Sequence, residues 1–75
     1  MSRPTPMVVD MDGTRLPVPR RLYRPGHIAA VVVKFGDKSY PIILSTHRDW
    51  NAASRKANRV IMREGVDSCD VALIV

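Results

Sequence analysis

Hydrophobic and polar positions divide the chain into a regular C-terminal part and an irregular N-terminal one. Ile28 to Phe35 is apolar at nearly every position, rich in Val and bounded by Gly26 and Gly36. That pattern predicts a strand buried on both faces. Gly36-Asp37-Lys38 supplies turn chemistry, and Lys38 to Leu44 returns as the second strand of a hairpin. Pro41 lacks a backbone donor and places the returning strand at an edge. The period then changes: Trp50, Ala53, Ala57, Val60 and Ile61 recur at helical spacing and predict one amphipathic helix over Thr46 to Glu64. Thr46 is its expected N-cap, with Asp49 in the capping-box position. Gly65 is its expected C-cap, and Arg63 suits the negative end of the helix dipole. Alternation resumes in Ser68 to Val75, where Cys69, Val71, Leu73 and Val75 face one side and Asp70, Ala72 and Ile74 the other.

The first 27 residues hold five of the six prolines and five arginines. Proline fixes φ and removes a donor, so no long helix fits there. Met7 to Met11 and Thr14 to Val18 read as two short strands joined at Asp12-Gly13, with Pro17 confining the second to an edge. Pro19 to Gly26 reads as a loop carrying Arg20, Arg21 and Arg24.

The resulting fold class is α+β. A small antiparallel or mixed sheet carries one amphipathic helix on one face, in the order β-β-α-β, with an additional N-terminal hairpin. Residues 1–75 form one domain, a Pro/Arg-rich segment (1–27) followed by a hairpin-helix-strand core (28–75). The crossover rule lets the strand ending at Leu44 and the one starting near Ser68 run parallel in one sheet. One helix covers only one face of the Ile28–Phe35 strand. The other face needs residues 1–27, a second copy or a partner, because large apolar patches left exposed mark interaction sites. Both a monomer and a homodimer fit this reading.

Size and composition narrow the function. A chain of 75 residues buries roughly 60% of its unfolded surface, a thin core on which to build a catalytic cleft. A lone Cys69 excludes an internal disulfide and points to a reducing compartment. Neither a signal-peptide-length apolar run after Met1 nor the roughly 20 apolar residues of a membrane span is present. A cytoplasmic protein without membrane contact is the expectation. Twelve Lys and Arg against seven Asp and Glu leave a net charge of +5, and nine of the twelve are Arg. Such a balance favours nucleic acid or an acidic protein surface as partner.

Catalytic and metal chemistry find little support. Val8-Val9-Asp10-Met11-Asp12-Gly13-Thr14 resembles the first motif of haloacid-dehalogenase-like phosphatases, in which the first Asp is the nucleophile and the second a general acid/base. That family needs a much longer doubly wound core and a further acidic pair, and no such pair follows here. The segment therefore reads as a strand running into an Asp-Gly turn. His27, His47 and Cys69 are scattered without metal-ligand spacing and read as structural or solvent-exposed. Cys69 falls in the apolar register of the last strand, and Trp50 in the helix's core stripe. No catalytic residue, metal or cofactor is expected.

The polar face of the helix carries the candidate site. Arg48, Arg55, Arg59 and Arg63 are spaced by seven, four and four and fall within a sector of about 80°, with Lys56 beside them. Only Asp49 and Glu64 are acidic on this helix, and neither is interleaved, so like charges repel at i,i+4. That cost makes Arg48, Arg55, Lys56, Arg59 and Arg63 the expected partner-binding residues, extended by Arg20, Arg21 and Arg24.

The hairpin, amphipathic helix and closing strand over 28–75, together with the opening Met1-Ser2-Arg3-Pro4-Thr5, resemble small phage-encoded anti-CRISPR proteins of the type I kind. The resemblance implies a non-enzymatic inhibitor that binds a type I surveillance complex (Cascade) in the host cytoplasm and blocks target DNA recognition. Small phage inhibitors of host RNA polymerase share the layout and are the alternative, as is a small basic nucleic-acid-binding module. The high Arg content departs from anti-CRISPRs that mimic acidic DNA.

Overall fold

The computed structural model describes residues 6–9, 13–38 and 40–75. Its elements are β1 (Met7–Val9), β2 (Arg15–Pro17), β3 (Ala29–Phe35), β4 (Ile42–His47), α1 (Trp50–Val60) and β5 (Val66–Leu73). The α+β class and the β-β-α-β order read from the sequence are those of the structure, with the N-terminal hairpin in front. Strand β3 is central, with β4 and β5 antiparallel to it on either side. Consequently β4 and β5 run parallel to each other in one sheet, with β3 between them, and α1 makes the connection.

The two faces of β3 bury two separate cores. On one face Ala29, Val31 and Val33 meet Ala53, Ala57 and Val60 of α1. On the other face Ala30, Val32, Ile43 and Ala72 meet Val8 and Val18, flanked by Leu16, Leu22, Tyr23 and Ile74. The N-terminal segment thus covers the face that the helix leaves open. A fully buried Val contributes about 1.5–3 kcal/mol relative to an exposed one, so Val8, Val31, Val33 and Val60 tie the two layers to the sheet.

Hydrogen bonding explains how the N-terminal hairpin is held. β1 and β2 pair antiparallel, with Val8 opposite Leu16. Gly13 turns between them at φ 81°, a conformation that favours glycine. Val8 also bridges Ile74, and Met7 and Val75 exchange two backbone bonds of 3.2 and 2.8 Å. The chain's end therefore continues past β5 to meet β1. Asp10, Met11 and Asp12, including both carboxylates of the phosphatase-like motif, lie outside the described residues.

The boundaries of β4, α1 and β5 differ from the sequence reading. Strand β4 begins at Ile42, after Pro41, and runs on through His47. Thr46 is therefore not the helix cap. It is a buried strand residue whose hydroxyl donates to the Leu22 carbonyl and also bonds His27. Asp49 caps α1 instead, in extended conformation, its Oδ1 accepting from the Ala52 N–H at 2.7 Å. The helix ends at Val60, with Ile61 as C-cap, so Gly65 (φ 87°) belongs to the turn into β5 and not to the helix end. Strand β5 starts at Val66, two residues earlier than the alternation suggested.

Two bulges set which side chains face which layer. The β3–β4 register passes from Val31↔Ser45 to Val32↔Ile43, leaving Leu44 as an extra residue. Directly paired residues share a face. Ser45 and His47, paired with Val31 and Ala29, therefore face α1, and Thr46, paired with Ala30, faces the N-terminal segment. Uninterrupted alternation from Ile42 would have put each on the opposite side. A second shift between Lys34 and Phe35 leaves Asp67 as the extra residue of β5.

Candidate functional site

The predicted arginine stripe is only partly a helix face. Arg55, Lys56 and Arg59 lie on α1, but Arg48 precedes the N-cap and Arg63 follows the C-cap, because the helix spans only Trp50–Val60. All four arginines are exposed, and Lys56 is half-buried. Arg20 and Arg21 are exposed in the turn after Pro19, and Arg24 is exposed just before Gly26. These three belong to the layer on the other face of the sheet, so they do not extend the helix cluster.

Arg55 and Arg59 instead come together with a residue read as structural or exposed. With Ala52, Asn58 and His47 they line a cleft of about 580 Å³ between the outer side of α1 and the end of β4. The bulge at Leu44 is what brings His47 to this side. No periodicity in the sequence marks a bulge, and a lone His two residues before a helix cap carries no signal of its own. Among the described residues, no carboxylate forms an ion pair with Arg55, Lys56 or Arg59. Asp49 is the nearest acid on the helix, and one of its oxygens is committed to the cap.

Two hydrogen bonds organise the histidines. Thr46 has one hydroxyl proton, which goes to the Leu22 carbonyl, so the 2.7 Å contact with His27 requires His27 Nδ1–H to donate. This pins the loop before β3 to β4. On the other face, Ser45 Oγ lies 2.8 Å from His47 Nε2. Burial lowers the His47 pKa below the ordinary value of 6.5, and the neighbouring charges of His27, Lys56 and Arg59 lower it further, against an opposing pull from Asp49. The cleft thus sets an imidazole whose charged form is disfavoured beside two guanidinium groups. Arginine's planar fork matches phosphate and carboxylate oxygens, and a cleft of this charge has the chemistry to bind an oxyanion.

Other sequence expectations resolve differently. Trp50 is 46% exposed at the first position of α1 and is not core. With Val9, Leu73 and Val75 it lines a second, apolar groove of about 360 Å³ beside β5. Ile61 is also exposed, so the buried stripe is reduced to Ala53, Ala57 and Val60. Cys69 does pack against the helix-side core, and burial together with the Asp70 charge raises its thiol pKa, which keeps it protonated. Among the described residues no cluster of His, Cys, Asp and Glu has the arrangement to hold a metal ion. Among the described residues no helix is long and apolar enough to cross a membrane. Compared with protein-family models, curated proteins and solved structures, this chain matches none.

Proposed function

We propose that this chain acts by binding and not by catalysis, and that its basic cleft docks on the phosphates of a nucleic acid. The observation that carries this reading is the convergence of Arg55 and Arg59 with His47 in one cleft, with no carboxylate paired to either guanidinium among the described residues. Unpaired cations held side by side repel one another, and phosphates relieve that repulsion while releasing counterions. On the resemblance to type I anti-CRISPR proteins, the setting of this contact is a crRNA-guided surveillance complex, whose nucleic-acid path the bound chain would obstruct.

Fluorescence anisotropy with labelled single-stranded and duplex DNA, at low and moderate salt, tests the contact. Binding is expected at low salt and weakens steeply as salt rises. Arg55→Glu combined with Arg59→Glu, checked for folding by circular dichroism, abolishes it. Absence of binding at low salt, or equal binding by the double variant, overturns the phosphate reading. Interference assays against a type I system then test the biological setting: loss of inhibition in the double variant supports it, and no inhibition by the native chain refutes it.

A further inference from the structure

We infer that the cleft seats one backbone phosphodiester between Arg55 and Arg59, and that His47 is its third ligand, entering the complex as imidazolium. The inference rests on the phosphate reading above and names the group that makes it pH-dependent.

The geometry comes first. His47 reaches the cleft only because the bulge at Leu44 turns it toward α1, where it faces the same opening as the two guanidinium groups. Its Nε2 is engaged by Ser45 Oγ at 2.8 Å, which leaves Nδ1 for a ligand. A serine hydroxyl both donates and accepts. Ser45 therefore serves the ring in either state: it donates to Nε2 when Nε2 is bare, and it accepts once both ring nitrogens carry hydrogen. The ring can take up a proton without losing this bond.

Electrostatics then couples the proton to the ligand. In the free chain His47 faces Lys56, Arg55 and Arg59 from α1 and feels the charge of His27 from across the sheet, with Asp49 at the N-cap as the opposing charge. This surrounding disfavours a further positive charge. A phosphodiester in the cleft supplies the missing negative charge and reverses the balance. The anion favours the imidazolium and the imidazolium favours the anion by the same factor. Affinity therefore rises as pH falls through the interval between the free and the bound pKa of His47. A phosphodiester does not titrate in this range, so the dependence belongs to the protein.

The test follows the His47 ring by NMR in the intact chain across pH, with and without a short oligothymidylate. Its pKa is expected to rise by about one unit on binding, and affinity to weaken by about tenfold across the corresponding interval. His47→Gln should bind with a flat profile over that interval. His27→Gln should keep a pH-dependent profile, displaced towards higher pH because a charge that lowers the His47 pKa is gone. A His47 pKa unmoved by a bound oligonucleotide, or a pH dependence that disappears in His27→Gln and not in His47→Gln, overturns the inference and leaves the phosphate reading standing. Failure of the native chain to bind the oligonucleotide at any pH overturns both.

Discussion

His47 Nε2 lies 2.8 Å from Ser45 Oγ, and both side chains face the helix although uninterrupted alternation would turn them away from it. The extra residue, Leu44, packs against the helix-side core. One inserted position therefore fills a core gap, hides Thr46 under the N-terminal layer and delivers an imidazole to the basic cleft. Ser45→Ala removes the hydrogen bond that orients the ring. It is expected to cost about 0.5–1.5 kcal/mol in a urea unfolding series. It should also weaken oligonucleotide binding without removing it; unchanged binding would mean the ring's orientation does not matter.

Thr46 holds the second layer in place. Its hydroxyl serves the Leu22 carbonyl and His27 Nδ1 together, in a buried position. Thr46→Val keeps the shape and leaves both partners unsatisfied, which costs about 1–3 kcal/mol for each group that water cannot reach. Hydrogen exchange should accelerate around Leu22 and His27 before it does in β3. Protection unchanged in that loop would show that Thr46 does not pin it.

The helix cap is Asp49, which distinguishes it from the Thr46 expected by sequence. Asp49→Ala should lower stability by about 1 kcal/mol, and Asp49→Ser should restore most of the loss. Because the Asp49 carboxylate raises the His47 pKa, its removal should also shift that pKa further down. An NMR titration of the ring checks the second effect separately from the first.

Stability should fall on acidification. The folded His47 pKa is lowered relative to the ordinary 6.5, so in the window between the two values the unfolded chain binds more protons. The contribution from His47 is fully present above about pH 6.5 and is lost as pH falls through the folded value. Urea midpoints measured across this range should fall with pH for the native chain and stay flatter for His47→Gln, so that the difference between them moves in the variant's favour as pH falls. Parallel curves would remove His47 as the cause.

Helix–sheet contact depends on small residues. Ala53 is fully buried in the core cluster that holds Val31 and Val33. Ala53→Leu should overpack this layer and cost about 1–3 kcal/mol. A variant as stable as the native chain would mean that α1 lifts off the sheet without penalty.

Much of the architecture was legible in the sequence, for identifiable reasons. Apolar residues at consecutive positions marked β3 as buried on both faces, and the Ala53–Ala57–Val60 spacing marked one helix, because periods of two and 3.6 leave different imprints. The parity of β5 also survived, with Cys69 and Val71 on the helix side and Ala72 and Ile74 on the other. That one helix would leave a face open followed from counting faces. Only the tertiary structure showed that Val8, Val18 and the loop to Tyr23 close it.

The candidate site divides in the same way. Charge spacing alone singled out Arg55, Lys56 and Arg59, since like charges at i,i+3 and i,i+4 share a helix face whatever the fold. It could not exclude Arg48 and Arg63, which fall beyond the ends of α1, because the helix start depends on how far β4 extends and its end on where the chain turns into β5. Nor could it include His47 or expose Trp50. Both depend on long-range registers, a bulge opposite Val31 and a helix start near Leu73, and such registers are fixed by how strands pair and layers pack, not by any local pattern.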